Sequence, residues 1–130
     1  MERKEVVEMS FPLLKAETLA GTLFQSPDPD QKETQVILIA FRRGVQNQID
    51  QWLEELAGPV SESQDTRMYE VPMLARGWKL MAGVIDGGMR SGISQEKHSA
   101  VATYYGDVRR YKDILDMENE DLCYVYIVDP

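Results

Sequence analysis

The chain has 130 residues, 43% of them hydrophobic and 28% charged, with a net charge of −8 at pH 7. That length suits one domain able to bury roughly two-thirds of its unfolded surface without staples, and the acidic balance argues against non-specific nucleic-acid binding and against a polybasic membrane patch. No apolar run approaches the roughly 20 residues that a spanning helix needs, the first five residues are too charged for a signal peptide, and a single cysteine excludes an intrachain disulfide, so no membrane insertion and a reduced, cytoplasmic setting are expected.

Residues 1–10 alternate charges with short apolar pairs, which fits either a short edge strand or a loose arm. Apolar anchors then surround Ala20-Gly21-Thr22, a turn or short hairpin signal. Residues 26–32 form a polar, proline-punctuated loop. The central stretch follows. Val36-Ile37-Leu38-Ile39-Ala40-Phe41 is uninterrupted and rich in β-branched residues, the pattern of a strand buried on both faces. Arg42-Arg43-Gly44 breaks it. Val45, Ile49, Trp52, Leu53 and Leu56 then recur at helical spacing, so a helix is predicted over 45–57 with Trp52 on its buried face and Gln51 on its wet face. Gly58-Pro59 should stop it.

A second strand is predicted over 68–74, with Pro72 at its end or where a missing N–H has no partner. Trp78, Met81, Ala82, Ile85 and Met89 predict a helix over about 76–86, followed by a glycine-rich loop to Ile93. Residues 99–105 read as a third strand. Asp107 can cap a helix carrying Val108, Tyr111, Ile114 and Leu115. The apolar run 122–128 reads as another central strand. Alternation of this kind predicts an α/β three-layer sandwich with a mostly parallel central sheet and helices on both faces.

The opening from Phe11-Pro12 to Thr18-Leu19-Ala20-Gly21, the core strand 36–41 and the late strand ending in Asp129-Pro130 resemble a thioredoxin-like protein of the peroxiredoxin-like branch. Tyr69-Glu70-Val71-Pro72 and Ile85-Asp86-Gly87-Gly88-Met89-Arg90 are similar to a redox-silent group in that superfamily, one that includes a mitochondrial ATP-synthase assembly factor. The resemblance implies a nucleophilic cysteine in the turn after the first core strand, where a helix N-terminus lowers the thiol pKa. This chain has Arg42-Arg43-Gly44-Val45-Gln46-Asn47-Gln48 there, with no cysteine, serine, threonine or histidine. Disulfide reductase and peroxidase activities are therefore not expected.

No catalytic residue, cofactor or metal site is assigned. Cys123, inside its apolar run, reads as a small buried hydrophobe, and His98 as a surface histidine. One cysteine and one histidine build no zinc site of standard spacing. Two groups of candidate binding residues remain. Arg42, Arg43 and Arg76 follow the carboxyl ends of predicted strands, where α/β sheets hold ligands, and suit a small anion. Asp86, Gly87, Gly88 and Arg90 lie in the predicted loop, where five of the nine glycines fall between positions 77 and 92. Glycine lets a ligand or partner approach the backbone. The expected function is a redox-inactive domain acting by protein binding, in an assembly or chaperone-like role, with exposed Met and aromatic residues near that loop as its contact surface. The alternative is a small-anion binder or enzyme using the three arginines.

Overall fold

A computed structural model of the chain describes residues 11–129. The elements run β1 (Leu14–Thr18), β2 (Leu23–Ser26), β3 (Thr34–Ala40), α1 (Gln46–Glu62), β4 (Thr66–Ala75), α2 (Ala82–Gly92), β5 (Ala102–Gly106), α3 (Val108–Ile114) and β6 (Tyr124–Val128). Short 3-10 segments, Arg43–Val45, Arg76–Met81 and Gln95–Ala100, lead into α1, α2 and β5. The expected arm or edge strand over residues 1–10 lies outside the described residues.

The strands form one six-stranded sheet in the order β2-β1-β5-β4-β3-β6. Only β3–β4 and β4–β5 pair parallel; β1–β2, β1–β5 and β3–β6 are antiparallel. The expectation of a mostly parallel sheet is thus corrected. Its source was the strand–helix alternation from residue 36 onward, which carries no direction for β6. It also left the first two strands uncounted as sheet members. They form a hairpin, closed by Thr18 and Thr22, with Gly21 at φ 83°, a conformation that glycine adopts without a Cβ clash.

β3 is the interior strand, and its side chains alternate between two cores. Ile37 and Ile39, with Phe41 beyond the strand, pack with Val71, Met73, Tyr111, Leu115 and Met117 on the α3 side. Val36, Leu38 and Ala40 pack with Val45 and Ile49, and against Leu53, Leu56 and Val60 of α1, on the other side. The steps β3 to β4 and β4 to β5 go the same way across the sheet, so right-handed crossovers put α1 and α2 on one face. The return from β5 past β4 and β3 to β6 places α3 on the opposite face, completing three layers.

Several local expectations hold. Asp107 caps α3, its Oδ1 accepting from the Arg110 N–H at 3.2 Å. Gly106 precedes it, where a Cβ would stand 2.5 Å from the Tyr104 hydroxyl folded over it. Others change. α1 runs on through Gly58 and Pro59 to Glu62, because proline inside a helix removes one hydrogen bond without ending it when the flanking turns are held. Pro72 lies inside β4, in the last pair of the β3–β4 ladder, where β4 begins to pair with β5 instead. The 76–86 helix becomes a 3-10 segment and then α2, which extends over the whole predicted glycine-rich loop to Gly92. Among the described residues no helix is long and apolar enough to cross a membrane.

Trp52 is also corrected. It is 36% exposed, at the margin of the apolar arc, whereas Ile49 is 5% exposed beneath the helix. Large-to-small changes in a close-packed site cost about 2–5 kcal/mol, while surface changes stay within about 0.5 kcal/mol. Urea melts should therefore rank Ile49→Ala as more destabilising than Trp52→Ala, with Gln51→Ala near wild type. A larger loss for Trp52→Ala than for Ile49→Ala would place the helix in a different rotation against β3.

Candidate functional site

The turn after β3 is closed by the chain itself. Arg42 is held by two carboxylates from the loop before β6: Asp121 at 3.0 Å and Glu120 at 3.7 Å. Glu120 also takes the Lys112 ammonium at 2.8 Å, and this hydrogen bond draws its carboxyl pKa below the ordinary value. Lys112 in turn stands 5.4 Å over the Phe41 ring. From the first turns of α1, Gln48 donates to the Asp121 carbonyl at 2.8 Å and accepts from the Cys123 N–H at 2.9 Å. The side-chain amide thus pairs like a backbone segment and seals the helix start to the β6 lead-in.

Nothing near Gln48 in sequence shows this role, since its partners lie more than 70 positions away. Arg42 paired with carboxylates is the interaction that competes with an anion site there. Arg43 and Arg76 sit at the same edge, after β3 and β4, both exposed and neither with an ion-pair partner among the described residues. That edge therefore offers two free guanidinium groups rather than a cluster of three.

Cys123 reaches the start of α1 from the far end of the chain, yet it is not activated there. It is half-buried just before β6, against the Val36, Leu38 and Ala40 side of the sheet. Burial, and secondarily the Glu70 carboxylate, push its thiol pKa up to about 12. His98 is half-buried rather than on the surface, with its ring Nε2 2.9 Å from the Ile93 carbonyl. Among the described residues no three His, Cys, Asp or Glu side chains converge as metal ligands.

The second candidate group splits. Asp86 accepts from the Tyr105 hydroxyl at 2.9 Å and Arg90 donates to the Leu19 carbonyl at 2.8 Å. These two residues, one helical turn apart, fasten α2 to β5 and to the end of β1. Gly87 and Gly88 lie between them in the helix, and no atom outside the helix stands within 4 Å of a Cβ built on either. What sequence reading placed only loosely is the apolar surface beside them. Trp78, Leu80, Met81 and Val84 are 55%, 94%, 46% and 69% exposed. The exposure of Trp78 and Met81 agrees with the expectation of exposed Met and aromatic residues near 86–92, although they stand on the 3-10 segment Arg76–Met81 rather than on a helix.

No protein-family model matches the chain, and no curated protein matches it. Solved structures do resemble it. An uncharacterised conserved protein of Geobacillus kaustophilus aligns over 93% of this chain with a TM-score of 0.52 and 12% identity. The chain spans 62% of that protein's length. The solution structure of a proposed thiol-disulfide oxidoreductase of Bacteroides vulgatus aligns over 95% of this chain and 73% of its own, with a TM-score of 0.50 and 13% identity. At such identities the likeness concerns the fold, which is thioredoxin-like and mixed α/β.

Two outcomes follow from the buried acids. A thiol at about 12 is almost wholly protonated at pH 8, so alkylation of native Cys123 should run roughly a thousandfold slower than in the denatured chain. A native rate near that of a free thiol would contradict this placement. Burial is also the leading cause that raises the Tyr105 and Tyr126 phenols, which donate to Asp86 and to the Leu115 carbonyl. The unfolded chain releases these protons first, so their stabilisation is complete below about pH 9 and is lost as pH rises through the higher folded values. Urea midpoints measured from pH 8 to about 11 should fall, and a flat profile would contradict it.

Proposed function

We propose that this chain is a redox-inactive thioredoxin-like domain that works by binding protein, in an assembly or chaperone-like role. The observation that carries the reading is the apolar surface of Trp78, Leu80, Met81 and Val84, exposed within seven residues that run from the 3-10 segment into the first turn of α2. Contiguous apolar surface of this kind marks interaction sites, whereas single exposed hydrophobes do not.

Two further observations support it. The turn after β3 holds no cysteine, serine, threonine or histidine, and its Arg42 and Gln48 are engaged by Asp121. The one thiol nearby has its pKa raised rather than lowered. Within this reading the chain belongs with the peroxiredoxin-like branch, and its segments 69–72 and 85–90 ally it with the redox-silent group that includes a mitochondrial ATP-synthase assembly factor. A reducing, cytoplasmic setting suits its single free cysteine. The competing anion-binding reading keeps Arg43 and Arg76, and a thermal shift with phosphate that disappears in Arg43→Ala would favour it.

The test pairs two assays on the full chain. Added at equimolar amount to a heat-denatured model client, the chain should suppress light scattering, and Leu80→Ser with Val84→Ser should weaken that suppression. In insulin reduction with dithiothreitol it should run at the background rate. Reduction at the rate of an authentic thioredoxin, abolished by Cys123→Ser, would overturn the reading, as would a client that aggregates undisturbed.

A further inference from the structure

α2 is poorly equipped to be a helix on its own account. It has 11 residues, four of them glycines, and none of its side chains is buried. Glycine is among the weakest helix formers, and short helices depend on packing of an apolar face. Nothing in this chain demands those glycines. A Cβ at Gly83, Gly87, Gly88 or Gly92 would meet nothing within 4 Å outside the helix, and none of the four has positive φ. The inner side of α2 is held by polar links, from Tyr105 to Asp86, from Arg90 to the Leu19 carbonyl, and from Thr103 to the Met89 sulfur.

The outer side has a definite form. Val84, Gly88 and Gly92 recur every fourth residue and are all exposed, making one row along the helix. Trp78, Leu80 and Met81 stand at its N-terminal end as a raised apolar block. Beyond Val84 the row is bare backbone, which a second helix can approach closely, and the four-residue rows of two helices interlock at an angle of about −50°.

Charge selects the occupant. Between residues 76 and 92 there are three basic side chains, Arg76, Lys79 and Arg90, and one acid, Asp86, which is engaged by Tyr105. Arg76 and Lys79 are exposed and have no ion-pair partner among the described residues. This is a basic rim on a chain of net charge −8. A second copy docking face to face would set Arg76 and Lys79 against themselves in the parallel orientation and against the uncharged end of the row, Gly88 and Gly92, in the antiparallel one, so its α2 face supplies them with no acid in either. An anionic lipid surface would be repelled by the rest of the chain. We propose that this face docks an amphipathic helix of a protein partner, with its apolar row along Val84, Gly88 and Gly92 and acidic residues where it meets Arg76 and Lys79. The proposal rests on the protein-binding reading above and adds the form and charge of what is bound.

The probe is a fluorescent amphipathic helical peptide with a Leu/Ala face and glutamates at one end, compared by anisotropy with its lysine counterpart on the full chain. The glutamate peptide should bind roughly tenfold more tightly than the lysine peptide, and added salt should narrow the gap. Arg76→Glu with Lys79→Glu should reverse the preference. Gly88→Leu puts a good helix former into open space and should weaken binding roughly tenfold while circular dichroism and the melting temperature show a folded chain. Equal binding of both peptides, no binding of either, an unaffected Gly88→Leu, or capture by phosphatidylglycerol vesicles in preference to the peptide would each overturn the proposal. If client aggregation is still suppressed in that case, the binding reading survives and the helix-docking inference alone falls.

Discussion

Strand β3 has no face turned to water. Along Thr34–Ala40 every residue after the first is buried, and the strand pairs with β4 on one edge and β6 on the other. Its odd and even side chains feed different cores, so α1 must cover one side and α3 the other. Removing either helix would expose a full row of branched aliphatic side chains, each contributing about 1.5–3 kcal/mol when fully buried. The three layers and the positions of the flanking strands follow from satisfying that one strand.

This is also why so much of the fold was legible. An unbroken apolar run of strand length has few packing solutions, and the helix after it shows its period plainly in Val45, Ile49, Leu53 and Leu56. Asp107 and Gly21 act through neighbours two or three residues away, within the range that sequence displays. The failures share the opposite property. Trp52 has helical spacing, but an apolar arc has margins, and only the shape of the opposing sheet decides which residue lies there. The direction of β6 depends on how a chain of about twenty residues after β5 returns, which no local pattern records. Glycine content suggested a loop at 86–92, yet glycine lowers helix stability without forbidding a helix.

The candidate sites divide along the same line. The lack of cysteine, serine, threonine and histidine at 42–48 was readable, because absence of a residue type needs no coordinates. The contacts that Arg42 and Gln48 make with Asp121 were not, since the partners lie more than 70 positions apart. The outcome is a turn in which Arg42 and Gln48 are bonded to the loop before β6, unlike the outer side of the 76–92 stretch. There the inner residues Asp86 and Arg90 anchor the element, and the outer ones meet only solvent.

The pairing of β3 with β6 bears on how the molecule is made. Gln35 lies against Val128 and Ile39 against Tyr124, while the parallel partner of β3 begins at Thr66. A ribosome delivers β3 and β4 long before β6. During that interval one edge of the most apolar strand has no hydrogen-bonding partner, and the loop with Asp121 and Glu120 that binds Arg42 does not yet exist. Loop-closure entropy must be met before such distant contacts return any energy, which makes their formation late and slow. Until β6 is made, the nascent chain therefore carries an open strand edge of the kind that invites non-native pairing.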